Sequence, residues 1–341
     1  MTVAARLYAM EADGHTTPLV ASVPARAAIA GNPSDGYGGA VVAIPLSRWT
    51  ATATARPSDT LAVVGSEPGD DIWELAAAAG RALVRAAGAP DHVASVRLVI
   101  TTTIPRSVGL AGSSAIILAV CRTMMLLHRD QPWAQRLADP RALAVVAHQA
   151  EIAELGIGAG MQDRLVQSHG VPLLMDFSPR MSTSVLGHPC GSVQPLPLPD
   201  GRWIVALRPS TAESSGVVHG ELTRRAPSNN ALISALADTA RTAARALECG
   251  DLDAVGASMD RSFELRAELL ELDPRHVAMV EAVRHAGGYA NYTGSGGAVV
   301  AYCPDASVEQ AAASLLAALA GCHVHPITFG GGPTTERPPS D

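Results

Sequence analysis

The sequence predicts an α+β chain of two domains. Three observations carry that reading. At 341 residues the chain is longer than one ordinary domain. Strand-like and helix-like stretches mix along it without strict βαβ alternation. A stretch at 178–201, with several Pro and Gly and few charges, separates the halves. The expected boundaries are 1–185 for the first domain, 186–330 for the second, and a disordered tail over 331–341.

Composition narrows the function classes. Hydrophobic residues make up 48% and aromatics only 4%, so small aliphatic side chains must do the packing. A net charge of −7 argues against non-specific nucleic-acid binding. Cys121, Cys190, Cys249, Cys303 and Cys322 are scattered with no CxxC spacing, which points to a reducing cytoplasm rather than a disulfide or zinc framework. No signal peptide and no apolar run of membrane-spanning length is expected.

Residues 1–23 read as a first strand region with a turn near Asp13-Gly14. Gly31 to Gly39 is dense in turn formers, and Ala40 to Leu46 returns to strand. A hairpin would present Asn32, Ser34, Asp35 and Tyr37 at its mouth, although Asn32 and Asp35 also suit an ordinary connection that bonds its own backbone. Residues 71–88 form an alanine-rich helix, and Val96 to Thr103 is a β-branched strand. Next comes Ile104-Pro105-Arg106-Ser107-Val108-Gly109-Leu110-Ala111-Gly112-Ser113-Ser114-Ala115, running into an apolar helix. Glycines there let the backbone approach a ligand, and the first helical N–H groups attract an anion such as phosphate. The same residues also fit a capped helix after a turn.

A helix over about 141–155 carries Glu151. The glycine loop 156–160 follows, then a short helix with Gln162 and Asp163 in its first turn, and a strand from Val171 to Phe177. The second half begins with the strand Trp203 to Leu207 and continues with helices at about 229–249, 254–271 and 274–287. A strand, a Gly-rich turn at 294–297 and another strand come next, then a helix at 305–320 and a strand at 322–329.

Four glycine loops in this order, with charged residues beside them, resemble the GHMP kinase superfamily, named for galactokinase, homoserine kinase, mevalonate kinase and phosphomevalonate kinase. The first motif appears as Pro24-Ala25-Arg26 with Gly31-Asn32-Pro33-Ser34-Asp35 and Gly38-Gly39, the second as Pro105 through Ala115, and the third as Thr293-Gly294-Ser295-Gly296-Gly297. Asn32-Pro33-Ser34-Asp35, Ile104-Pro105-Arg106 and Gln162-Asp163-Arg164 narrow the match toward the glucuronokinase branch. Ala25 departs from the usual Gly, and the third loop is one Gly short of the fuller form.

The resemblance implies a ribosomal-S5-domain-2-like first part and a ferredoxin-like second part. It implies transfer of the ATP γ-phosphoryl group to a sugar, with D-glucuronate and its anomeric hydroxyl favoured. Pro105, Gly109, Leu110, Ala111, Gly112, Ser113, Ser114 and Ala115 are then the ATP-phosphate site, and Ser114 and Glu151 the Mg²⁺ ligands. Asp163 is the base and Arg26 the stabiliser of the transferring group, while Asn32, Asp35, Tyr37, Arg106, Arg164, Gly294, Ser295 and Gly296 form the acceptor site. Arg106 is the favoured partner of a sugar carboxylate. Each residue also has a plain structural reading: a helix cap for Asp163, a solvated carboxylate for Glu151, an ion pair for Arg26, packing for Tyr37. Another sugar acceptor, or a ligand-sensing member without catalysis, stays open, as does oligomeric state, a homodimer included.

Overall fold

The computed structural model describes residues 19–89, 91–209 and 230–327. The expected turn near Asp13-Gly14, the tail over 331–341 and the last residues of the 322–329 strand lie outside them.

The first domain is organised on a long hairpin. Strand β1 (Leu19–Ala30) pairs antiparallel with β2 (Ala40–Pro57), and the link carries a 3₁₀ turn at Ser34–Tyr37. Register shifts at Pro24/Ala25 and Ala28/Ala30 bend this pair on either side of Arg26. The other edge of β2 is shared. Its C-terminal half pairs with β4 (Val96–Thr102), its N-terminal end with β5 (Leu173–Asp176). A short β3 (Ala62–Val63) runs parallel to β4. A two-stranded ribbon, β6 (Thr183–Val185) with β7 (His188–Cys190), stands apart, and β8 (Ser192–Pro195) pairs with β5. The first sheet thus extends past the expected 185/186 boundary, because β8 returns to it.

Helices α1 (Asp71–Ala87), α2 (Gly112–Leu127), α3 (Pro132–Leu137), α4 (Pro140–Gln149) and α5 (Gln162–His169) complete this half. The expected 141–155 helix changes character at its end, where Ala150–Glu154 is a π-helical turn. Such turns widen the helix and re-aim side chains, here Glu151.

The second domain is a four-stranded antiparallel sheet in the order β10 (Tyr289–Tyr292), β11 (Ala298–Cys303), β9 (Arg202–Leu207), β12 (His323–Ile327). Helices α6 (Asn230–Cys249), α7 (Leu252–Leu269) and α8 (Pro274–His285) connect β9 to β10, and α9 (Ala306–Ala317) connects β11 to β12. This is the split βαβ pattern of a ferredoxin-like domain, enlarged by extra helices.

One apolar core runs through both halves, joining Val23, Ile44 and Ile117 to Trp203, Ala240 and Val300. Small residues permit the close contact. Gly31 has φ +92°, and a Cβ there would lie 2.1 Å from the Ala40 carbonyl oxygen and 2.8 Å from Ala240 Cβ on α6. Gly31→Ala is therefore expected to cost about 2 kcal/mol or more, from left-handed strain plus overpacking. Urea unfolding with an unchanged m-value checks it.

Candidate active site

A cavity of about 490 Å³ opens between the domains. The 104–113 loop, the 157–160 loop and α5, Asn32 and Asp35, Gly294 and Ser295, and Arg266 all contribute to its wall. Four glycine loops distant in sequence therefore meet at one place.

Arg26 lies at the centre. It is 4% exposed on β1 between the two register shifts. Its Nε donates to Asp163 Oδ1 at 2.6 Å, and its Nη1 donates to the Gly109 carbonyl at 2.7 Å and to the Thr293 carbonyl. Asp163 also faces Arg164 at 3.5 Å. Its side chain keeps 17% exposure, so the carboxylate is held between two guanidinium groups while still reaching the cavity.

The phosphate-type loop is shaped by its backbone. Gly109 has φ +74°, and a Cβ there would meet Ser295 N and Gly296 O at 3.0 Å. Ala111, the residue before α2, sits at φ 61°, ψ 47°, a conformation that strains a residue with a Cβ. Gln167 holds it: Nε2 donates to the carbonyls of Ala111 and Pro24, both at 2.9 Å, and Oε1 accepts from Ser114 Oγ at 2.7 Å. Pro105, Gly109, Leu110, Ala111, Gly112 and Ser113 line the cavity.

Ser114 and Ala115 do not join them. Both are fully buried, and the Ser114 hydroxyl is spent on Gln167 and the Ala111 carbonyl. Ser113 takes the expected place of Ser114, its Oγ donating to Glu151 Oε1 at 2.8 Å. Consecutive helix positions point about 100° apart, so only one of the two serines can face Glu151. The other oxygen of Glu151 pairs with Arg164. A hydroxyl and a carboxylate converging beside a phosphate-type loop fit Mg²⁺, which takes few protein oxygens and keeps several waters. Glu151 is fully buried, so the alternative of a solvated carboxylate does not hold.

On the cavity wall formed by the Asn32–Asp35 turn, Asp35 accepts from Gln162 Nε2 at 3.0 Å and its backbone N at 3.4 Å. Burial, reinforced by the Asp163 charge, raises its pKa to about 6, against the opposing pull of Gln162, Arg26 and Arg164. Gly160 leaves room for this carboxylate: a Cβ there would lie 2.0 Å from Asp35 Oδ2. Asn32 Nδ2 reaches the Tyr292 carbonyl at 3.4 Å. His148 accepts no proton near neutral pH, since burial drops its pKa to about 4. Its Nε2 lies 2.9 Å from the Ala159 carbonyl and so acts as the donor, pinning the 156–160 loop.

Other expectations change in three dimensions. Tyr37 packs beside Ile233 and Leu236 rather than lining the cavity. Arg106 sits at the exposed rim, paired with Asp71 of α1. Arg164 is buried against Glu151 and the Gly160 carbonyl, with burial lowering its pKa to about 9. Gly294 and Ser295 line the cavity, whereas Gly296 stands behind them against His276.

Two residues given no role by the sequence belong to this region. Gln167 supports the loop, and its signal is only its place in a motif. Arg266 of α7 lines the cavity at 2% exposure. It continues the buried face Val255, Met259, Ser262 and Phe263, and a charge on such a face is the one visible sign of it.

One interdomain cavity thus brings together a strained glycine loop at a helix start, the Arg26–Asp163 pair and the Ser113–Glu151 pair, the kinds of group that phosphoryl transfer to a small molecule calls for. Family comparison specifies the class. Residues 72–170 match the GHMP kinases N terminal domain, and residues 240–321 match the GHMP kinases C terminal domain. "Probable glucuronokinase 2" of Arabidopsis thaliana is 31% identical over 314 residues, 82% of this chain and 83% of its own length. "Glucuronokinase 1" of the same plant is 30% identical over 318 residues, covering 82% and 84%. The structure of Streptococcus pneumoniae phosphomevalonate kinase superposes with a TM-score of 0.73 at 16% identity, over 92% of this chain and all of its own (100%), showing the shared fold. The chain belongs to the GHMP kinase family.

Two outcomes are expected. Gln167→Ala leaves the Pro24 and Ala111 carbonyls and the Ser114 hydroxyl without their buried partner. It should cost about 1–3 kcal/mol in urea unfolding and raise KM for ATP. Independently, kcat/KM for the acceptor should rise with pH to a plateau above about 6 as Asp35 ionises. Asp35→Asn should flatten that acid limb, read from pH–rate profiles of the two proteins.

Proposed function

We propose that the protein is an ATP-dependent sugar kinase whose acceptor is a sugar acid, D-glucuronate, phosphorylated at its anomeric hydroxyl. The observation that carries the kinase reading is the Arg26–Asp163 pair at 2.6 Å, held against the 109–113 loop inside the interdomain cavity. The acceptor rests on the two glucuronokinase relatives and on the Asn32-Pro33-Ser34-Asp35 turn at the cavity wall.

The chemistry follows from placement. Phosphoryl transfer needs positioning and charge stabilisation more than covalent help from the protein. The 109–113 loop and the α2 N-terminus receive the ATP phosphates through their free N–H groups. Ser113 and Glu151 would hold Mg²⁺, which when bound neutralises phosphate charge. Asn32 and Asp35 orient the acceptor's hydroxyls. Asp163 aligns the reacting hydroxyl and takes its proton as the new O–P bond forms and the bond to the ADP oxygen breaks. Arg26, fixed by three acceptors, stabilises charge on the transferring group without having to reorganise.

The test is ADP release with MgATP across glucuronate, galacturonate, glucose, galactose, arabinose and mevalonate, with the product identified by phosphorus NMR. Preference for glucuronate with an anomeric phosphate supports the reading; turnover only with another acceptor keeps the kinase and discards glucuronate. Asp163→Asn, which preserves shape, should lower kcat by about 10²–10⁴-fold while the protein stays folded by circular dichroism.

A further inference from the structure

Four arginines line the cavity, and three have anionic partners. Arg26 holds Asp163, Arg164 holds Glu151, and Arg106 holds Asp71 at the rim. Arg266 differs. It projects from α7, is 2% exposed, and has no salt bridge to any described residue. Its Nε is buried with no hydrogen-bond partner. The contact that positions it is with the Tyr292 ring, whose centroid lies 5.1 Å from the guanidinium carbon. An aromatic face orients a guanidinium and leaves its N–H edge free.

A buried guanidinium without an anion is costly, because burial removes its water and, among the described residues, only an aromatic face stands in for it. Burial and the nearby Arg26 charge lower its pKa only to about 10, so it stays cationic at neutral pH. Its surroundings belong to the acceptor wall. The Tyr292 carbonyl beside its supporting ring receives Asn32 Nδ2. One turn earlier on α7, Ser262 Oγ accepts from Gly31 N and bonds Asn291. The helix that carries Arg266 is thus fastened to the Gly31–Asp35 turn. Arg106, by contrast, is exposed and already paired, with nothing to desolvate a ligand against it.

We infer that Arg266 is the residue that selects an acidic acceptor, its guanidinium edge receiving the carboxylate of a sugar acid held by Asn32 and Asp35. The planar fork of arginine suits that group, and ligand binding would supply the anion that no described residue provides. The inference rests on the sugar-acid reading above and adds the residue that enforces it.

The test compares glucuronate with glucose, which have the same ring hydroxyls and differ in the carboxylate. Steady-state kinetics would be run on the wild type, Arg266→Met and Arg266→Lys. For Arg266→Met the ratio of kcat/KM for glucuronate over glucose should fall on the order of 100-fold, chiefly through KM of the acid, with KM for ATP spared. Arg266→Lys, which keeps the charge and loses the fork, should fall between. Without ligand, Arg266→Met should melt at or above the wild-type temperature, since it removes an uncompensated charge; a structural arginine would give the opposite. A preference retained in Arg266→Met, equal losses for both sugars, or a loss confined to KM for ATP would overturn the inference while leaving the acceptor reading standing. Wild-type preference for glucose would overturn both.

Discussion

The structure depends on one buried cation. Arg26 lies inside a sheet strand, where a guanidinium is tolerated only if nearly every N–H finds an acceptor. Its acceptors come from three separate parts of the chain: Asp163 on α5, Gly109 in the loop before α2, and Thr293 at the end of β10. The loop carbonyls therefore point at Arg26 because it would otherwise be unpaired. Thr293 Oγ1 also donates to the Gly109 carbonyl at 3.0 Å, and Ala28 N donates to the Thr293 carbonyl at 3.0 Å. Separating the domains would strip these bonds together. The same contacts that close the fold fix the geometry of the Arg26–Asp163 pair.

Charge follows from this arrangement. Arg26, Arg164 and Arg266 converge with Asp35, Glu151 and Asp163 around the cavity, each of them buried except the partly exposed Asp163. Their influence on one another shows in the groups that shift: Asp35 is raised by burial and by Asp163, while Arg164 and Arg266 are lowered by burial and by Arg26. Such a cluster is electrostatically strong and geometrically unforgiving, because each member depends on its neighbours for solvation. Gln167 and His148 add neutral support, anchoring loop carbonyls without another charge.

Much of this was legible in the sequence, for identifiable reasons. The glycine loops, the strand before Ile104 and the long second-half helices carry local signals in turn chemistry and breaker placement. Helical phase was not legible in α2, which is buried on nearly all sides from Ser114 to Met125 and offers no polar face to orient it. Ser113 and Ser114 were therefore indistinguishable until Glu151 and Gln167 were placed in space. The return of β8 to the first sheet depends on pairing with β5, a long-range choice with no local mark. Arg266 belongs to the same class. Its helix pattern says only that a charge lies on a buried face; which cavity that face meets is decided by how α7 packs against the Gly31 turn.

The glycines explain why the site can exist at this density. Gly160 and Gly294 do not have left-handed backbones; each is required by what stands opposite. A Cβ at Gly294 would come within 2.5 Å of the Gly109 carbonyl oxygen and 2.9 Å of both Arg26 terminal nitrogens. A Cβ at Gly160 would displace Asp35. Close approach of bare backbone lets carbonyls reach a guanidinium, and lets a carboxylate sit beside a loop, without an intervening side chain. The alanine-rich composition extends the principle to the core, where Ala240 on α6 meets Gly31. Scattered glycine motifs in one chain therefore carry information jointly: each marks a surface that another part of the chain must approach closely, and in this fold those surfaces face one another around Arg26.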